Sequence, residues 1–214
     1  PIALGADIVI HSATKYLAGH SDVIAGAVVA KDPEIATRIK YIQNATGAVL
    51  GPFDCWLTIR GIETLELRLQ RQSENALAVA QWLESREEVE RVYFPGLQSH
   101  PNHLLAAKQQ SFFGGVVSFV IKNGDEQAAT NFVTSTKLFK LAESLGGVKS
   151  LLCHPATMTH KSTPVDVRRN AGVVDALIRL SCGIENADDL IEDLQQAFEQ
   201  INEKVSNSVI TTWK

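Results

Sequence analysis

Between Pro52 and about Arg86, apolar residues recur at steps of three and four: Trp56, Ile59, Leu65 and Leu69, then Ala76, Val79, Ala80 and Leu83. That spacing lines one face of a long helix. Gly61 interrupts the pattern and predicts a bend or a join between two helices. A helical stretch of this length suits a linker, and the segments on its two sides differ. Before it, Asp7–Ile10 and Ala27–Ala30 read as strands. Asp32-Pro33-Glu34 opens a helix that ends near Thr46-Gly47, with Asp as the cap and Pro at the first helical position. After it, strands are expected at 89–94, 115–121, 137–141, 149–153 and 177–182. Helices are expected at 101–110, 125–134, from Thr163-Pro164 to Asn170, and at 186–203 with Asn186 as cap. The tail VSNSVITTWK has no clear period and is expected to fray.

Strands alternating with helices define a layered α/β chain. The leading part holds only two strands and one helix, too few to cover both faces of a parallel sheet. Further sequence before Pro1, or another chain, is therefore expected on that surface. Composition narrows the function. Of 214 residues, 45% are hydrophobic and 21% charged, and the formal charge is −4. This is globular, with no basic field for nucleic acid or anionic lipid. No apolar run approaches the roughly 18 residues of a membrane span. The opening PIALGADIVI lacks the basic region of a signal peptide. Cys55, Cys153 and Cys182 are an odd number in apolar surroundings, which reads as buried reduced thiols and a cytoplasmic location.

Four clusters carry possible chemistry. His11-Ser12-Ala13-Thr14-Lys15 follows the first strand, at the strand end where open α/β folds bind ligands. Two hydroxyls there can serve a phosphate, and a desolvated lysine amine can act as a Schiff-base nucleophile. The alternative is a helix cap beside a solvated lysine. Ser144-Leu145-Gly146-Gly147 is either a close backbone approach to a ligand or a plain turn. Arg179 sits inside the apolar strand pattern LIRLS. A guanidinium in that position needs an anion, either a ligand carboxylate held bidentately or an internal acid. His154 and His160 are six residues apart, which suits no common metal spacing, so no metal is expected.

In order, GADIVIHSATKYLAGHSDVIAG, QNATGAVLGPFDCWLTIRGIETLELRLQRQSENA, VYFPGLQSHPNH, SLGGVKSL, HPATMTH and LIRLSCGIENADDLIEDL resemble the Cys/Met-metabolism family of pyridoxal-phosphate enzymes. That family includes cystathionine γ-synthase, γ-lyase and β-lyase and methionine γ-lyase. The resemblance implies the PLP-dependent transferase fold type I, aspartate aminotransferase-like. Residues 1–60 would be the end of the large cofactor domain, whose full sheet is mostly parallel. Residues 61–214 would be the linking helix and the small C-terminal domain, with an antiparallel sheet and helices on one face. The implied cofactor is pyridoxal 5'-phosphate, the implied partner a small amino-acid substrate, and the implied assembly a homotetramer.

By the same resemblance, Lys15 is the Schiff-base lysine, Ser12 and Thr14 bind the cofactor phosphate, and Ser144 and Arg179 hold the substrate carboxylate with support from Thr159. The implied reaction is transsulfuration of cystathionine or an activated homoserine ester. Cystathionine β-lyase or a sulfhydrylase is the alternative, and a non-catalytic module for assembly or carboxylate binding is a reading of a different class. The family's aspartate on the pyridine nitrogen, its glycine-rich phosphate turn and its ring-stacking tyrosine would precede Pro1. The chain by itself is therefore expected to be inactive. Lys149, where many γ-class members carry Glu, bears on the β/γ choice.

Overall fold

The computed structural model describes the backbone of residues 1–211 and the side chains of residues 1–201. The chain divides into two compact units, residues 1–66 and 67–214.

In the first unit, β1 (Ile8–Ser12) pairs antiparallel with β2 (Gly26–Ala30). The first strand extends two residues past the apolar run, so His11 and Ser12 belong to it. They are drawn in by ladder pairing with Ala27 and Gly26. Between the strands lies a π-helical turn, Ala13–Leu17. Helix α1 (Pro33–Thr46) begins where expected: the Asp32 carboxylate accepts from the Glu34 N–H at 2.7 Å. It ends on Gly47 at φ 71°, in the left-handed region that glycine enters without a Cβ penalty.

The expected join between two helices is present, but at Thr64: helix α2 (Pro52–Glu63) closes there, three residues past Gly61, and the next helix starts at Leu65. A Cβ on Gly61 would lie 2.2 Å from the Ala18 carbonyl oxygen and 2.7 Å from that of Leu17. The glycine is there because the backbone after Lys15 presses against the helix. Buried apolar side chains are sparse in this unit: Ala13, Ala18 and Val23. Ile10, Ile24, Tyr41 and Phe53 stand exposed.

Helix α3 (Leu65–Glu84) leads into the second unit, whose five-stranded sheet has the order β3-β4-β7-β6-β5. These strands are β3 (Val89–Tyr93), β4 (Val116–Ile121), β5 (Lys140–Leu141), β6 (Leu151–Cys153) and β7 (Leu177–Ser181). All neighbours pair antiparallel except β5 and β6, which are parallel. The helices are α4 (His103–Gln109), α5 (Glu126–Ser135), α6 (Val165–Asn170) and α7 (Ala187–Thr211). The last helix therefore runs through most of the tail expected to fray; residues 212–214 lie outside the described residues.

Val117, Phe119, Leu152, Ile178 and Leu180 face a core closed by Phe132 of α5 and Leu190, Leu194 and Phe198 of α7. Phe132 and Phe198 meet at 4.6 Å between ring centroids. The sheet thus buries one face against helices, and alternation sends Arg179 and Ser181 to the other.

The expected strand 137–141 shrinks to Lys140–Leu141. The amides of Lys137, Leu138 and Phe139 donate instead to the buried Asp193 carboxylate of α7, at 2.6, 2.8 and 2.9 Å. An acid more than fifty residues away takes the donors that a ladder would have used.

Candidate active site

Ser12, Thr14 and Lys15 lie together at the end of β1 and in the π-helical turn. Lys15 is half-buried, and its backbone leaves helical values (φ −90°, ψ −120°). Its carbonyl accepts from the Gly19 N–H at 2.8 Å, so the turn is closed around it. Among the described residues its amine makes no ion pair. Ser12 is exposed, and its hydroxyl makes no hydrogen bond among the described residues. Thr14 differs. Its Oγ1 accepts from the Ala25 N–H at 3.0 Å and donates to the Ala25 carbonyl at 3.2 Å. A hydroxyl has one proton to donate, so Thr14 braces the segment before β2 and keeps acceptor capacity only.

Ser144 and Arg179 come together in the second unit. Arg179 stands on β7 opposite Ser118 of β4 and Cys153 of β6. Its Nη2 donates to the carbonyls of Glu143 and Ser144 at 3.4 and 3.3 Å. Among the described residues no carboxylate lies within ion-pair distance of it. Of five N–H donors, only those on one nitrogen are engaged, and loosely. The remaining edge can take a carboxylate in two parallel bonds.

The Ser144 hydroxyl makes no hydrogen bond among the described residues, and Gly146 adopts φ 78°. Burial raises the pKa of the Cys153 thiol above its ordinary value; the nearby Arg179 charge opposes this and Glu143 adds to it. Cys182 is fully buried and its thiol is pushed further up. Both are packing residues, and all three cysteines are free.

Thr159 is half-buried and hydrogen-bonded to its neighbour His160 at 2.8 Å. Among the described residues it makes no hydrogen bond to Arg179 or Ser144. His154 is buried and structural. Its Nε2 meets the Asp175 carbonyl at 2.7 Å, and its Nδ1 meets Thr157 Oγ1 at 2.8 Å.

Sequence reasoning missed the frame around this turn. Gln72 Nε2 donates to the Gly147 carbonyl at 2.8 Å. Asn75 Nδ2 donates to the carbonyls of Gly183 and Glu185 at 3.0 and 2.8 Å. Glu185 accepts from the Ser150 amide and hydroxyl at 2.7 and 2.9 Å, and Ser150 Oγ accepts from the Gly183 N–H at 2.8 Å. One signal was legible: Gln72 and Asn75 are amides on the helix face that continues into Ala76, Val79 and Leu83. Polar residues on an apolar face need partners.

The first unit thus holds a lysine and two hydroxyls in and beside one turn, and the second an arginine beside the Ser144–Gly147 turn. The chain matches the Cys/Met metabolism PLP-dependent enzyme family over residues 1–199 and belongs to that family. It is 54% identical over 200 residues to a cystathionine beta-lyase of Lactococcus lactis subsp. cremoris (strain MG1363), covering 94% of this chain and 52% of that protein. It is 51% identical over 201 residues to a cystathionine gamma-lyase of Bacillus subtilis (strain 168), covering 94% and 52%.

The fold agrees with that of a cystathionine gamma synthase from Xanthomonas oryzae pv. oryzae, solved in complex with aminoacrylate and cysteine. The TM-score is 0.90 at 49% identity, over 95% of this chain and 52% of that one. The fold is thus that of the PLP-dependent cystathionine enzymes. The chain spans about half the length of the relatives it matches.

Proposed function

We propose that this chain supplies the lysine and carboxylate-binding parts of a transsulfuration enzyme acting on cystathionine or an activated homoserine ester. Arg179 carries the reading: among the described residues its guanidinium hydrogen-bonds to two backbone carbonyls and pairs with no carboxylate. Pyridoxal phosphate suits the donor set of the first unit, since among the described residues Lys15 offers an amine outside any ion pair and Ser12 a hydroxyl outside any hydrogen bond. When bound, that cofactor supplies an electron sink for negative charge at the Cα of an amino acid.

The chain's own residues do the rest. Ser12 donates to the phosphate, while Thr14 keeps the turn in place through Ala25. Lys15 takes the proton from Cα and returns it at the neighbouring carbons. Arg179 grips the α-carboxylate, helped by Ser144, and so fixes the direction of the Cα–H bond. Thr159 supports the carboxylate site through the 154–160 loop. In domain terms, residues 1–60 are the end of the cofactor domain, and residues 61–214 are the linking helix and small domain.

The relatives named beta-lyase, gamma-lyase and gamma-synthase have similar identity, so product analysis decides. Pyruvate from cystathionine marks β-elimination and 2-oxobutyrate marks γ-elimination. Cystathionine made from cysteine and an acylated homoserine marks the synthase, which is the leading reading together with γ-lyase. No turnover of any of these substrates by the full protein with added cofactor would overturn the proposal.

We place the enzyme in the cytoplasm, in keeping with its three free cysteines. Among the described residues no helix is long and apolar enough to cross a membrane. The proposed assembly is a homotetramer, supported by the exposed apolar side chains of the first unit.

A further inference from the structure

Ser181 is buried and follows Arg179 by two positions on β7, so both side chains stand on the same face of the sheet. Its Oγ accepts from the Gly146 N–H at 2.9 Å, and that amide is buried. Gly146 is the left-handed residue of the turn whose preceding carbonyls, Glu143 and Ser144, hold Arg179 Nη2. The contacts form a closed path: Arg179, the Glu143 and Ser144 carbonyls, Gly146, Ser181, and back along β7 to Arg179. From the other side Gln72 holds the next carbonyl, that of Gly147.

We infer that Ser181 is a positioning residue for the substrate carboxylate: it pins the Ser144–Gly147 turn to β7 and so sets the direction in which Arg179 presents its guanidinium. The inference rests on the proposed role of Arg179. It goes beyond that role by naming the side chain that aims it. Ser181 touches neither substrate nor cofactor. Its effect reaches them through one buried amide and two carbonyls. Without the hydroxyl, the Gly146 N–H is left buried without an acceptor. The turn then moves to find another, and the carbonyls under Arg179 move with it.

The test uses the cofactor-loaded, full-length enzyme. S181A is expected to raise KM for the amino-acid substrate roughly tenfold, the scale of one lost buried hydrogen bond. Its kcat should change much less, and cofactor affinity should match the parent's. S181T, which keeps the hydroxyl, should restore KM in large part. In the R179K background S181A should add little, because both act on one contact. Amide exchange supplies a readout apart from turnover: the Gly146 N–H should lose protection in S181A and keep it in S181T.

If R179K binds substrate as tightly as the parent, the carboxylate role of Arg179 falls and this inference with it. If R179K weakens binding but S181A leaves KM unchanged, Arg179 keeps its role and Ser181 loses the one assigned here. Full additivity of the two substitutions also overturns the inference. Should S181A fail to fold, the comparison passes to S181C, whose weaker acceptor is expected to give an intermediate KM; a KM equal to the parent's would count against Ser181.

Discussion

At the residue scale the proposed site rests on Lys15 and Arg179, neither of which forms an ion pair among the described residues. Lys15 is half-buried in a turn closed by its own carbonyl, with its amine outside any ion pair of the described residues. Lys15→Ala is expected to abolish turnover and to remove the visible absorption band of bound pyridoxal phosphate; a band unchanged by the substitution would take Lys15 out of its role. Asp175 makes a useful contrast, because its charge is fully used. Hydrogen bonds from Arg168, then from Arg169, hold its carboxyl below the usual carboxylate range. A carboxyl with a depressed pKa in the folded state contributes stability above its unfolded value of about 4, and that contribution is lost as pH falls through the folded value. Asp175→Asn should therefore destabilise the protein at neutral pH and bring its acid unfolding curve closer to that of a chain without this pair. Thermal unfolding measured from pH 7 down to pH 2 would check it.

Among the elements, α2 and β5 show how tertiary contacts override local pattern. Gly61 looks like a helix breaker in the sequence, yet it lies inside α2, because the Leu17 and Ala18 carbonyls approach too closely for any side chain. Gly61→Ala improves helix propensity by nearly 1 kcal/mol in isolation. Against a backbone oxygen at 2.2 Å it should instead destabilise by about 1–3 kcal/mol, measured as a lower denaturation midpoint. Asp193 replaces a strand ladder with three hydrogen bonds accepted from backbone amides. Asp193→Ala leaves those donors unsatisfied and should cost about 2–4 kcal/mol, with exchange protection lost at residues 137–139 before the rest of the sheet. Equal protection there in the variant would show that the carboxylate is dispensable.

For the whole molecule, the two units differ in how they are held together. The second owns an aromatic and aliphatic core between sheet and helices. The first buries little more than Ala13, Ala18 and Val23, while Ile10 and Ile24 are 77% and 88% exposed. Patches of that kind mark surfaces that further sequence or another chain covers; the proposed homotetramer is the second case. Ile10→Asp is accordingly expected to lower the oligomeric mass seen by light scattering while leaving the melting of the second unit unchanged. A mass unaffected by the substitution would place the contact elsewhere.

Much of this was legible along the chain. The three-and-four spacing of α3, the caps Asp32 and Asn186, and the apolar strand runs at 115–121 and 177–182 are local signals. They arise from side-chain period and backbone donors within a few residues. The motifs around Lys15, Ser144 and Arg179 were legible as a resemblance to the family, and the chain's membership of that family over residues 1–199 agrees with it. The close approach at Gly61, the short β5, the bracing of Thr14 by Ala25 and the link from Ser181 to Gly146 could not be read there. Each joins groups distant in sequence. A backbone N–H or C=O does not reveal in the sequence which remote partner will satisfy it, and only the packed chain brings that partner within bonding distance.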